Sequence, residues 1–135
     1  MKQTKRHIAH ISLVVRDYDE AIRFYVDKLH FTLVEDTVLS PEKRWVLVAP
    51  SHDASCCLLL AKAANDTQAT RIGNQTGGRV FLFLYTDDFW RDYREMLAQG
   101  IHFVREPVKE AYGTVAVFED LYGNLWDLLE KSYEL

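Results

Sequence analysis

The chain has little of what would declare its chemistry at once. Only two of its 135 residues are cysteine, and they are neighbours, Cys56 and Cys57. Adjacent strand residues point to opposite faces and a disulfide between neighbours is strained, so both read as reduced thiols of a cytoplasmic protein. Nothing near them in sequence marks either thiol as reactive. No apolar run approaches the roughly 18 residues that a membrane span needs. The opening Met-Lys-Gln-Thr-Lys-Arg-His is charged but lacks the apolar stretch of a signal peptide. A formal net charge of −4, with signs interspersed, offers no basic stripe for nucleic acid.

What is present is a repeat. His10-Ile-Ser-Leu-Val-Val-Arg-Asp17, followed by Ala21-Ile-Arg-Phe-Tyr-Val-Asp-Lys-Leu29 and Phe31-Thr-Leu-Val34, has a counterpart about 71 residues further on. There the chain reads Phe81-Leu-Phe-Leu-Tyr-Thr-Asp-Asp88, then Tyr93-Arg-Glu-Met-Leu97, then Phe103-Val104. Each copy is an apolar strand, an acidic turn, an amphipathic helix and a second strand. With 48% hydrophobic residues the chain can build a core, but halves of about 60 residues bury little surface alone. A single domain with a cleft between two modules is therefore expected.

The spacing predicts strands at about 8–15, 31–38, 44–49 and 56–61 in the first module, with a helix over 18–29 capped by Asp17 or Asp19. In the second it predicts strands at about 79–86, 102–105, 114–119 and 125–129, and a helix over 88–99 closed by Gly100. The order is βαβββ twice, an α+β fold. Module 1 covers about 7–62, a polar linker 63–78 and module 2 79–130. Glu106–Gly113, carrying Pro107, reads as a loop. Gly73-Asn-Gln-Thr-Gly-Gly78 lacks the Lys and following helix of a phosphate loop and reads as a flexible turn, with Gln75 reaching the cleft.

These residues resemble the vicinal-oxygen-chelate superfamily of glyoxalases, extradiol dioxygenases, fosfomycin-resistance enzymes and bleomycin-binding proteins. The matching text is His10-x-x-Leu-x-Val-x-Asp17, Ala21-x-x-Phe-Tyr25 and Leu29-x-Phe31. Near the end, Phe118-Glu-Asp-Leu-Tyr-Gly-Asn-Leu-Trp-Asp-Leu128 is similar to the family's DPxGNxxEL close. The resemblance implies two modules curled into a half-open barrel, with a cup that in many members holds one divalent ion. It also implies a homodimer. Carried over, the ligand positions fall on His10, Leu60 (Ala61 with the register moved by one), Phe81 and Asp127. Only His10 and Asp127 can donate to a metal, and a catalytic ion ordinarily takes three protein ligands. His7, three residues before His10, faces the other way along a strand. No tight metal is expected; a retained Zn, Ni, Mn or Fe would rest on His10 and Asp127.

If His10 faces the cup, Ser12 and Val14 join it, while Ile11, Leu13 and Val15 face the helix. In module 2 the same alternation sends Arg79, Phe81, Phe83 and Tyr85 inward, and in the last strand Leu125, Asp127 and Leu129. Trp45 and Tyr112 are candidates for the rim. Each has an ordinary reading as well: a hydrogen-bonded strand histidine, a packed aromatic strand, a loop anchor. His30, His52 and His102 read as solvated. A buried Asp127 needs a partner, for which His10, Arg79 or a ligand cation qualifies. Three classes of function follow. The first is a binding protein that holds a small aromatic or amphipathic molecule without a tight metal. The second is a metal-dependent lyase, isomerase or dioxygenase. The third is a metal-free enzyme in which Asp127 orients His10 for proton transfer.

Overall fold

Alternation and two aspartate caps set the frame of each repeat. In the computed structural model, which describes residues 3–132, the chain forms two compact units that meet at Ala64 and Asn65. The first opens with β1 (His10–Val15), where Leu13 and Val15 are fully buried and His10 and Ser12 exposed. Asp17 then caps α1 (Tyr18–Ile22) by accepting the Glu20 N–H at 2.9 Å, which satisfies one of the helix's unpaired first-turn donors. The helix widens into a π-helical segment over Arg23–Lys28. There the Leu29 N–H reaches the Phe24 carbonyl and the Phe31 N–H the Tyr25 carbonyl. Consecutive Phe24 and Tyr25 are both buried in this segment, their rings edge to face at 5.1 Å. The chain leaves it through His30, held at φ 60°, where non-glycine residues are uncommon.

β2 (Thr32–Ser40) and β3 (Lys43–Ala49) form an antiparallel hairpin, and β4 (Cys57–Lys62) returns parallel to β1. The sheet order is β1-β4-β3-β2. Arg44 fastens the hairpin to α1: its guanidinium donates to Asp36 at 2.7 Å and Asp19 at 2.9 Å, while its N–H donates to the Tyr18 hydroxyl.

The second unit repeats the plan. It contains a short helix, α2 (Asp66–Ala69), then β5 (Val80–Tyr85), α3 (Phe89–Ala98), β6 (Phe103–Glu110), β7 (Gly113–Glu119) and β8 (Leu125–Lys131). The order is β5-β8-β7-β6, again with one parallel pair, β5 and β8. Both sheets are the mixed four-stranded sheets that the βαβββ repeat implies. Asp88 caps α3 through the Arg91 N–H, and Glu130 accepts the Phe89 N–H at 2.7 Å. At the other end Gly100 (φ 79°) and Ile101 donate to the Leu97 and Met96 carbonyls, a Schellman closure.

Three expectations are corrected. The polar stretch 63–78 contains α2, capped by the Asn65 side chain. It is tied to the second unit by a hydrogen bond from the Gln75 N–H to Asn124. The Gln75 amide folds back onto the Arg71 carbonyl at 2.6 Å, a local bond within that stretch. Glu106–Gly113 is the continuation of β6 and its hairpin turn. Pro107 is tolerated because β6 is an outer strand whose register breaks between Arg105 and Val108, so no ladder donor is missed.

Candidate functional site

Each sheet has one face toward its helix and one free of it. In the first unit the register His10↔Cys57, Ser12↔Leu59 and Val14↔Ala61 puts these six on the helix-free face. Leu47, opposite Leu59, continues it on β3. Trp45 lies two residues along, its ring 5.9 Å from that of His10 and nearly perpendicular to it. Leu60 is on the other side: it pairs with Leu13, and both are fully buried. The β4 positions that share a face with His10 are therefore Cys57, Leu59 and Ala61, of which only the Cys57 thiol could donate to a metal.

In the second unit Phe83↔Asp127 and Tyr85↔Leu129 share the helix-free face, while Leu82↔Trp126 and Leu84↔Leu128 lie beneath α3. Phe83 is 61% exposed and Tyr85 57%. Phe81 is the extra residue of a bulge, because the register passes from Val80↔Leu125 directly to Leu82↔Trp126. Its ring meets Trp126 edge-on at 6.4 Å, and Trp126 stacks on the buried Phe118. Phe81 thus turns to the packed aromatics, leaving Phe83 and Tyr85 as the exposed pair. Arg79 precedes the strand, exposed, with its carbonyl accepting the Thr76 hydroxyl.

Across β8 and β7 the register runs Asp127↔Val117↔Arg105. Arg105, Glu106, Tyr112, Val115, Val117 and Asp127 line a small depression that opens to solvent. Burial pushes the Asp127 carboxyl above its ordinary range, and Arg105 pulls weakly the other way. Asp127 has no hydrogen bond or ion pair among the described residues. Tyr112 occupies the β6–β7 turn, 52% exposed. Arg105 is the residue that sequence reasoning missed. Strict alternation from Phe103, whose partner Phe118 is fully buried, would put Arg105 beneath the helix. A register shift between Phe103 and Arg105 rotates it onto the open face.

His10 belongs to the first unit and Asp127 to the second. Among the described residues no three His, Cys, Asp or Glu side chains converge. The neighbours of His10 on its face are Cys57, Leu59 and Trp45; those of Asp127 are Phe83, Val117 and Leu129. This donor set does not fit a catalytic divalent ion, which requires at least three protein ligands.

The segment 118–128 has a structural task. Asp120 and Asn124 are 4% and 3% exposed. One Asp120 carboxylate oxygen accepts the Tyr122 and Asn124 N–H groups at 2.9 and 3.0 Å, and the other accepts the Asn124 side-chain amide at 2.9 Å. This closed turn aims β8, and Asp127 with it, into the sheet.

Comparison with known proteins agrees with the architecture. The family model of the Glyoxalase/Bleomycin resistance protein/Dioxygenase superfamily matches residues 7–128. An uncharacterized protein of Shewanella frigidimarina (strain NCIMB 400) is 63% identical over 129 residues, covering 95% of this chain and 96% of its own. The crystal structure of UcmS2 superimposes with a TM-score of 0.81 at 30% identity, covering 93% of this chain and 98% of that one. TnmS3, an antibiotic binding protein from Streptomyces sp. CB03234, gives a TM-score of 0.77 at 28% identity, with 97% and 100% covered.

Proposed function

The chain belongs to the Glyoxalase/Bleomycin resistance protein/Dioxygenase superfamily, and we propose that it binds a small aromatic or amphipathic molecule on a helix-free apolar surface, without a tightly held metal. The observation that carries this reading is the exposure of Phe83 and Tyr85 beside Asp127. Two large rings left open to water on one strand cost hydration free energy, and flat ring faces are the natural contact for a planar ligand. The sparse donors point the same way: beside His10 on β4, Leu59 and Ala61 offer no electron pair and Cys57 only a thiol, and beside Asp127 stand Phe83, Val117 and Leu129. TnmS3, similar over nearly its whole length, is an antibiotic binding protein, which fits a ligand-holding role.

The test is a titration with 1-anilinonaphthalene-8-sulfonate and with bleomycin, followed by fluorescence and by calorimetry. Saturable binding at one site per chain, weakened about tenfold or more in a Phe83→Ser, Tyr85→Ser double variant, is expected. Absence of binding, or binding indifferent to the double variant, would overturn the reading. Binding that requires added Zn²⁺ or Ni²⁺ and is lost in His10→Ala would favour metal chemistry instead.

A further inference from the structure

Asp127 is a half-buried acid set among apolar neighbours, and no described residue satisfies it. On its own strand it lies between Leu125 and Leu129, beside it on β5 is Phe83, and across β7 is Val117. An acid in such surroundings raises the free energy of the empty site unless a ligand answers it. Building on the binding reading above, we propose that the ligand carries a basic nitrogen, with Asp127 as the counter-ion of its ammonium group and the attached ring against Phe83 and Tyr85.

Charge and geometry favour a cation over an anion here. The lining of the depression holds two carboxyl groups, Glu106 and Asp127, against one guanidinium, Arg105. Arg105 stands two strand spacings from Asp127, roughly 10 Å between Cα atoms. Arg105 acts on Asp127 only through space, with no ion pair between them, whereas an ammonium in hydrogen-bond contact would lie at roughly 2.8 Å from the carboxylate. The aromatic pair adds to it. The Lys131 ammonium already sits 5.2 Å from the centre of the Tyr85 ring, so that face is taken by a cation. The ligand's ring is left Phe83 and the opposite face of Tyr85, with its ammonium directed to Asp127 and away from Lys131. An anionic ligand would meet Arg105 but would also have to approach Glu106 and Asp127.

Three probes with a common ring separate the terms: 1-naphthylmethylamine, 1-naphthalenemethanol and 1-naphthylacetate. Each is titrated into the full chain at neutral pH, with affinity and location read from ¹H–¹⁵N shifts. The amine is expected to bind roughly three- to tenfold tighter than the alcohol, and the acetate weaker than both. In Asp127→Asn, which keeps the side-chain shape, the amine's advantage should vanish while the alcohol still binds. The amide spectrum of the variant reports that it remains folded. Equal affinity for amine and alcohol, a preference that survives Asp127→Asn, or tightest binding of the acetate overturns the proposal. In those cases the aromatic reading stands provided Phe83→Ser still weakens the alcohol. If none of the three binds, or Phe83→Ser changes nothing, the aromatic reading fails and this inference with it.

Discussion

The two units share a topology, yet they hold their last strand in different ways. In the second, β7 and β8 pair along their full length, from Gly113↔Lys131 to Glu119↔Leu125. In the first, the equivalent β3–β4 pairing is confined to Leu47↔Leu59 and Val48↔Leu58. The connections differ in the same sense. Between β7 and β8 a buried aspartate and asparagine close a tight turn. Between β3 and β4 the chain takes a longer, exposed excursion in which Asp53 meets only the Ser51 hydroxyl. A repeated fold therefore does not imply repeated rigidity, and the strand that is held along its length is the one carrying Asp127.

The largest expected effect tests that asymmetry at the hairpins. Gly113 and Lys43 each begin the third strand of their module. A Cβ on Gly113 would lie 2.2 Å from the Glu130 carbonyl oxygen, because β8 runs alongside it. Lys43 has no β4 partner. Relief at position 113 would require moving one strand from the other. Gly113→Ala should cost about 3 kcal/mol, against less than about 0.5 kcal/mol for Lys43→Ala, in urea unfolding. Equal midpoints for the two variants would show that β7 and β8 are no more tightly joined than β3 and β4.

The turns give the next contrast. Removing the Asp120 carboxylate leaves two backbone N–H groups and the Asn124 amide without their acceptor in a buried place. Asp120→Ala should cost roughly 2–3 kcal/mol, and Asp53→Ala within about 0.5 kcal/mol. Amide exchange offers a sharper reading of the same comparison: Tyr122 and Asn124 should lose protection in the first variant. If Asp53→Ala proves as costly, the first unit's turn holds its strand by means other than side-chain hydrogen bonds.

The repeat, an aspartate cap on the first helix and the Gly100 closure could all be read from the sequence, because each rests on local chemistry or on period. The Asp88 cap of the second helix could not, since the spacing predicts a helix that begins at 88 itself. His10, Ser12, Phe83, Tyr85 and Asp127 lie on the helix-free faces of their sheets, as alternation along a strand requires. Where reading failed, a register shift was responsible. Phe81 turns to Trp126 because one extra residue is accommodated there, and Arg105 reaches the open face because alternation breaks after Phe103. Bulges are set by the partner strand, which period along one strand does not report. Leu60 shows the limit of carrying positions across a family: a displacement of one residue exchanges the two faces of a strand. The π-helical widening at Arg23–Lys28 also lay beyond the periodicity, since a six-residue segment is too short for its wider turn to register in the apolar spacing.

The smallest effect concerns the open faces themselves. Asp127 and Leu59 are equivalent by register, the partner of Phe83 in one unit and of Ser12 in the other. Burial raises the Asp127 pKa above its ordinary value of 3.8, and Arg105 only partly offsets this. The folded protein therefore binds this proton more tightly than the unfolded chain. Between the ordinary and the raised value, stability falls as pH rises; below the ordinary value the penalty is absent, and above the raised one it is fully present. Asp127→Asn removes the titration while keeping the shape. The variant should exceed the parent in thermal midpoint at neutral pH, and the excess should shrink on acidification and disappear below about pH 3.8. Leu59→Asn, at the matching place in the first unit, removes no charge and should give no such pH-dependent difference. An excess that stays constant from pH 3 to 8 would mean that Asp127 is not strained by burial and that the two open faces differ in shape alone.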